Sequence, residues 1–323
     1  MAEVRHRTIA TNGINMHIAE AGPQSGRLVV LCHGFPESWY SWRHQLNALG
    51  DAGYHVVAPD QRGYGQTDAP EETDAYTQFH LVGDIVGLVG ALGEQQAVIV
   101  GHDWGAPVAW NSALWRPDVF RAVAGLSVPF SNRAPLAPTA AMRAMFGDRF
   151  FYILYFQQPG VAEHELQHDV RATLRRLMFG ASGNAPDRGL VDGIANPPPK
   201  TAYFLDQLAD PAVLPPWLTE ADLDFFTAEF ERRGFRGGLN WYRNLDRSWA
   251  LSAPFQGRKI EQPALFISGD RDLIRMNPDY EAQMREVVPN LRDVVVLPGI
   301  GHWTQQESPE AVNRALIEFL KSL

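Results

Sequence analysis

Apolar residues fall along this chain in two alternating patterns. From Leu28 onward, short runs that are apolar at nearly every position are separated by longer stretches where apolar and polar residues recur at helical spacing. Four runs precede residue 130, at 28–32, 55–58, 97–100 and 122–128. A strand covered on one face would alternate, so unbroken runs predict parallel strands buried on both faces. The stretches 77–92 and 106–115 have helical length, and right-handed crossovers would pack them onto a twisted sheet. The first third therefore reads as doubly wound α/β.

After Pro129 the pattern changes. Residues 142–155, rich in Met and aromatics, and the amphipathic 163–178 read as helices, as do 220–232 and 240–250. Between them, 180–200 is dense in Gly and Pro and reads as a long irregular excursion. Strand-like runs return only at 264–268 and 294–297, before an amphipathic terminal helix at 309–320. The sheet thus resumes after a helical insertion, which we place at 132–249, with 1–131 and 250–323 forming the core.

Composition narrows the class of function. At roughly 150 residues per domain, the 323 residues suit one large α/β domain with an insertion. Hydrophobic residues at 45% and charged ones at 20% exclude disordered, collagenous and coiled-coil chains. Twenty-eight basic against 37 acidic residues leave a net charge of −9. No basic cluster is denser than 232–236, which argues against nucleic acid or an anionic membrane as partner. The single cysteine, Cys32, cannot form an internal disulfide and fits a reducing cytoplasm. Residues 1–6 contain no apolar signal region, and no later stretch is long and apolar enough to span a bilayer, so neither export nor anchoring is expected.

The strongest chemical signal is Gly101-His102-Asp103-Trp104-Gly105, which joins the third apolar run to a helix through small residues flanking a polar one. That is a nucleophile elbow with aspartate where serine is commoner. At a helix N-terminus the dipole and free N–H groups favour an ionised carboxylate, able to attack carbon. An isolated aspartate after a strand would read as an N-cap. The paired glycines and the downstream residues turn the reading toward a nucleophile. Acid and histidine follow in the order such a site demands, each just past a strand-like run. Asp270 and Asp272 follow 264–268, both within reach of a histidine, and His302 follows 294–297 as the expected base. After the first run comes His33-Gly34-Phe35-Pro36, where the backbone N–H of Phe35, with that of Trp104, would form an oxyanion hole. His6, His17 and His80 have no evident partners and read as surface or satisfied polar groups. His164-Glu165-Leu166-Gln167-His168 fits a zinc signature, but no third ligand follows at the required spacing. Two exposed histidines on a polar helix, and no metal, are expected. Gly63-Tyr64-Gly65 is too short for a phosphate loop, so no cofactor is expected either.

Taken together, these segments resemble the soluble epoxide hydrolases of the α/β-hydrolase superfamily. The resemblance spans core and insertion, through 35–43, 62–65, the elbow at 101–105, 155–163 and 239–244. It implies an α/β-hydrolase core with a mostly parallel sheet and an inserted helical cap serving as substrate-binding lid. It further implies Tyr155 and Tyr242 as cap tyrosines that protonate the opening epoxide. Its Gly-x-x-Asp pattern, here Gly269 to Asp272, places the acid on Asp272, while Trp241, Pro36 and His33 are assigned to the substrate pocket. The implied reaction joins Asp103 to a small apolar epoxide as an ester, which water activated by His302 then cleaves. A homodimer is left open. Two other readings share these residues. A dehalogenase would use Trp104 to hold a departing halide, although Phe35 offers no second side-chain donor; a non-catalytic relative would bind a small ligand in the same cleft.

Overall fold

The computed structural model describes residues 3–185 and 190–323. Its described residues build one eight-stranded sheet in the order β1-β2-β4-β3-β5-β6-β7-β8. The strands are β1 (Arg5–Thr11), β2 (Ile14–Ala21), β3 (Leu28–Cys32), β4 (His55–Pro59), β5 (Ala97–His102), β6 (Phe120–Leu126), β7 (Ala264–Gly269) and β8 (Leu291–Leu297). β2 is antiparallel to both β1 and β4, and every pairing from β4 to β8 is parallel. β1 and β2 have no counterpart among the apolar runs: β1 is almost wholly exposed, and β2, though largely buried, is interrupted by Asn15, His17 and Glu20. Their signal is the turn instead. Asn12 and Gly13 both take positive φ, 43° and 78°, as a two-residue hairpin requires.

Helices α1 (Arg43–Asp51), α2 (Gln78–Ala91) and α3 (Gly105–Trp115) lie between the strands from β3 to β6. Between β6 and β7 come α4 (Pro138–Phe146), α5 (Tyr152–Tyr155), α6 (Val161–His168), α7 (Val170–Gly180), α8 (Leu190–Ala195), α9 (Glu220–Arg233), α10 (Arg236–Arg243) and α11 (Leu245–Leu251). α12 (Tyr280–Val287) joins β7 to β8, and α13 (Thr304–Glu307) and α14 (Pro309–Lys321) close the chain. Successive strand residues feed opposite faces. Val30, Cys32, Ile99 and Phe266 pack against α2, α3 and α12, while Val29, Leu31, Val100 and Ile267 pack against α1 and α14. That two-sided burial is why these strands read as unbroken apolar runs. The first cluster continues into the inserted helices through Phe156, Leu174, Phe226 and Trp241.

Three long helical expectations are each divided. Gly147, at φ 55°, ends α4 before α5 begins. Asp169 caps α7 by accepting from the Ala172 N–H, which separates it from α6. Asn244 parts α10 from α11 while its amide donates to the Thr73 and Asn240 carbonyls. Apolar periodicity persists through such breaks, so it locates the helical region without its joints. The excursion at 180–200 is partly regular, containing α8, and its positions 186–189 lie outside the described residues.

Candidate active site

β3 and β5 are paired neighbours, with Cys32 opposite Gly101, yet the chain leaves β3 for β4 on one side and places β5 on the other. Their connections diverge at the carboxyl ends and open the crevice where open α/β sheets bind ligands. Asp103 stands at that crevice with φ 50°, a left-handed conformation that costs a non-glycine residue of order 1–3 kcal/mol. The turn closes tightly enough that a Cβ on Gly101 would lie 2.0 Å from the Gly105 carbonyl oxygen, and one on Gly105 2.1 Å from that of Cys32. Neither position admits a side chain, which explains the two glycines around the aspartate.

Asp103 Oδ1 accepts from the Phe35 N–H at 2.7 Å, and Oδ2 lies 3.3 Å from His302 Nε2. On its other side, His302 Nδ1 lies 3.2 and 3.3 Å from the two oxygens of buried Asp272. Asp270 is exposed and accepts from the Gly299 N–H at 2.8 Å, so geometry sets Asp272 and not Asp270 against His302. Burial disfavours charge on both His302 and Asp103, but the opposite charges outweigh it. The Asp272 and Asp103 carboxylates hold the imidazole well above its ordinary pKa, while His302, His102 and the Phe35 N–H hold Asp103 below the usual carboxylate range. Asp103, His302 and Asp272 thus form one row, with the imidazole between the two carboxyl groups.

Two tyrosines from the inserted helices cover this row, and one is not the expected one. Tyr242 in α10 and Tyr152 at the start of α5 pack edge to face with centroids 6.2 Å apart, and both line the two cavities that meet Asp103. Burial, then the Asp103 charge, raises both phenols above the ordinary tyrosine pKa, so both keep their protons at neutral pH. Tyr155 instead faces an outer cavity beside His164, Glu165 and Tyr203. Helical phase explains the correction. Tyr152 and Phe156, four residues apart, share the inward face of α5 and its cap, with ring centroids 5.6 Å apart. Tyr155 is one residue from Phe156, about 100° round the helix.

The pocket residues also divide. Trp241 lines the larger cavity and donates its indole N–H to the Arg62 carbonyl at 3.1 Å, and Pro36, reached by a cis peptide from Phe35, lines the smaller one. His33 lines neither cavity. It is fully buried, its Nδ1 donating to the Gly34 carbonyl at 2.9 Å and its Nε2 accepting from the Gln61 N–H at 3.0 Å. Burial holds its pKa below the ordinary value, so it is a neutral strut between the loops after β3 and β4. On α6, His164 and His168 are exposed, while Glu165 accepts from the Phe204 and Leu205 N–H groups at 3.3 and 2.8 Å. Among the described residues, no group of three or more His, Cys, Asp or Glu side chains is arranged to hold a metal, and no helix is long and apolar enough to cross a membrane.

A buried polar frame, not singled out from the sequence, holds the His302 backbone. The His302 N–H donates to the Ala181 carbonyl at 2.8 Å, and its own carbonyl accepts from His102 Nε2 and Ser127 Oγ, both at 2.8 Å. His102 Nδ1 lies 2.8 Å from Glu37 Oε2, which also accepts from the Gly34 N–H at 2.9 Å. Glu37 Oε1 accepts from the amides of Gln305 and Gln306, both at 3.0 Å. One buried carboxylate thereby ties the Phe35 loop to the His302 loop. Glu307 forms a second tie. Its oxygens accept from the N–H groups of Gly301 and Trp303 on either side of His302, at 3.0 Å each, and from the Gly183 N–H at 2.8 Å. The available signal was a pair of acids in otherwise apolar or amide-rich loops, and only the fold reveals what they accept from.

A family model described as alpha/beta hydrolase fold matches residues 27–309. Epoxide hydrolase A of Mycobacterium tuberculosis is 47% identical over 323 residues, covering 100% of this chain and 99% of that protein. Epoxide hydrolase 1 of Siraitia grosvenorii is 44% identical, covering 99% of each. Among solved structures, Epoxide Hydrolase A from Mycobacterium thermoresistibile superposes with a TM-score of 0.93 at 49% identity, covering 99% of this chain and 98% of that one. The sheet, the elbow and these similarities define an α/β hydrolase. Within that superfamily the chain belongs to the soluble epoxide hydrolases, a family of hydrolases that act on ether bonds.

Proposed function

We propose that this chain converts an epoxide to a vicinal diol through an ester on Asp103. The observation that carries the reading is Asp103 set between the Phe35 N–H and His302, with the phenols of Tyr152 and Tyr242 lining the cavities that meet it. Because Oδ1 is held by Phe35, Oδ2 attacks a ring carbon and the carbon–oxygen bond opens. The departing alkoxide takes a proton from Tyr152 or Tyr242, leaving a hydroxyalkyl ester. Esterification removes one of the two anions that hold the His302 proton. That proton returns to the tyrosinate, and neutral His302, oriented by Asp272, takes one from the attacking water. The ester carbonyl gains charge facing the N–H groups of Phe35 and Trp104, the oxyanion hole of this reading. Collapse releases the diol alkoxide, which takes the proton left on the new carboxyl group. Asp103 and the His302 imidazolium are restored. Residues 132–249 serve as the lid that brings both tyrosines over the nucleophile, and the lone buried Cys32 is consistent with a cytoplasmic setting.

The decisive experiment is repeated turnover in oxygen-18 water followed by mass spectrometry of the Asp103 peptide. Heavy oxygen is expected in the Asp103 carboxylate, since water attacks the ester carbonyl; its absence after many cycles would refute the ester. Halide release from a haloalkane without diol formation from an epoxide would point to the dehalogenase reading instead. Tyr152→Phe and Tyr242→Phe are each expected to lower kcat/KM for diol formation by roughly a hundredfold, within the usual worth of a general acid. Tyr155→Phe is expected to stay within about a factor of two, and a larger loss there would reverse the assignment. Glu307→Ala is expected to lower kcat up to about a hundredfold, through displacement of His302. Glu307→Gln, which keeps one acceptor oxygen, should lose less in the same steady-state assay.

A further inference from the structure

Two cavities meet at Asp103, and they differ greatly in size. The one toward Pro36, Leu177, Phe204 and Trp303 holds about 50 Å³, and the one toward Trp104 and Trp241 about 320 Å³. An apolar cavity of roughly 150 Å³ takes a benzene ring, so only the larger side accepts a bulky substituent. A third cavity, of about 260 Å³, lies beyond the reacting groups, with Leu114, Trp115, Phe130 and Phe255 among its walls.

Asn111, half-buried on α3, lines both the larger cavity and this outer one. Three elements run from the first into the second. On α3 and its N-cap, Trp104, Pro107 and Asn111 line the larger cavity and Leu114 follows in the outer one, at the three- and four-residue spacing of a single helix face. α11 repeats the arrangement: Leu245 and Ser248 line the larger cavity, and Ser252, at the C-cap, lines the outer one. After β6, Val128 lines the first and Phe130 the second. Two helix faces and a loop thus form one trough, and Asn111 stands where its two parts join. At 1.5 Å per residue, Asn111 lies about 10 Å and Leu114 about 15 Å along the helix from Trp104.

We propose that the substrate is a terminal epoxide with one long, unbranched apolar arm, which runs from Asp103 along α3, passes Asn111 and ends in the outer cavity. The narrow side leaves no room for a second arm, and the aromatic walls beyond Asn111 suit a hydrocarbon chain. Asn111 thereby sets the length of arm that stays out of water. This inference rests on the epoxide-opening reading above and adds to it the shape of the substrate and the residue that selects it.

The test compares terminal epoxides of roughly ten and fourteen carbons, the first with an arm ending near Asn111 and the second with one reaching Leu114. Diol formation is measured for both with the wild-type protein and with Asn111→Phe, whose ring would close the join. The longer epoxide is expected to have the higher kcat/KM in the wild type, by about tenfold, because each methylene taken out of water favours binding severalfold. That ratio should fall to one or below in Asn111→Phe. Should that variant not fold, Ser252→Phe, which fills the outer cavity from α11, is read the same way. Equal kcat/KM for the two epoxides in the wild type, or a ratio that the substitution leaves unchanged, overturns the inference while leaving the reaction standing. Diol from a short terminal epoxide but from neither long one does the same. No diol from any of the three overturns the reaction itself, and the inference with it.

Discussion

Asp103→Asn is expected to lower diol formation by about ten-thousandfold or more, the scale seen when an enzyme's nucleophile is removed. The substitution is nearly isosteric, and the amide oxygen can still accept from the Phe35 N–H that now bonds Oδ1 at 2.7 Å. The left-handed φ of 50° is also one that Asn tolerates well. The protein should therefore fold, and the loss should fall on kcat and kcat/KM together. What disappears is the anion: a neutral amide nitrogen or oxygen is too weak a nucleophile to open a ring with an alkoxide leaving group. His302 loses one of the two carboxylates that hold its proton, so its pKa should fall toward the ordinary histidine value, which an NMR titration of the ring would detect. Residual activity within tenfold of the wild type would show that Asp103 is not the reacting group.

His302→Gln should separate the two steps. Asp103 remains ionised and the tyrosines still donate, so the ester forms, while water attack loses its base and slows by roughly a hundredfold to ten-thousandfold. Mixing the variant with substrate should shift the intact mass by that of the whole epoxide, and digestion should place the addition on Asp103. An unmodified mass with substrate demonstrably bound would contradict the mechanism. In the wild type the same logic fixes a pH dependence. Ester formation needs Asp103 ionised and the phenols protonated, and with one pKa lowered and the others raised, that step should be flat across neutral pH. Ester cleavage needs neutral His302. Its rate should rise with pH through an apparent pKa below that of His302 in the free enzyme, because the esterified Asp103 no longer carries a charge. Single-turnover measurements of the two phases test this directly.

The legible part of the site is local. Gly101, Asp103 and Gly105 are recognisable because one strained turn constrains five consecutive residues, and Phe35 and His302 because each sits in a short loop just past an apolar, strand-like run. The illegible part is angular or distant. Tyr152 and Tyr155 are three residues apart in the same aromatic segment, and nothing in their order says which ring turns inward. His33 lies in the right loop but points behind it. Glu37 takes its distant hydrogen bonds from the side chains of His102, Gln305 and Gln306, and Glu307 takes one from the Gly183 N–H, all of which exist only once the loops after β3, β5 and β8 meet at one end of the sheet.

Short-range order therefore determined the buried parallel strands, the position of the helical insertion and the sharp turn carrying Asp103, because each follows from burial or sterics over a few neighbouring residues. Tertiary packing decided which tyrosine faces Asp103, which polar residues brace His302, and how unequal the two cavities are. Those depend on the phase of a four-residue helix and on contacts across the sheet, and no run of neighbouring residues carries either.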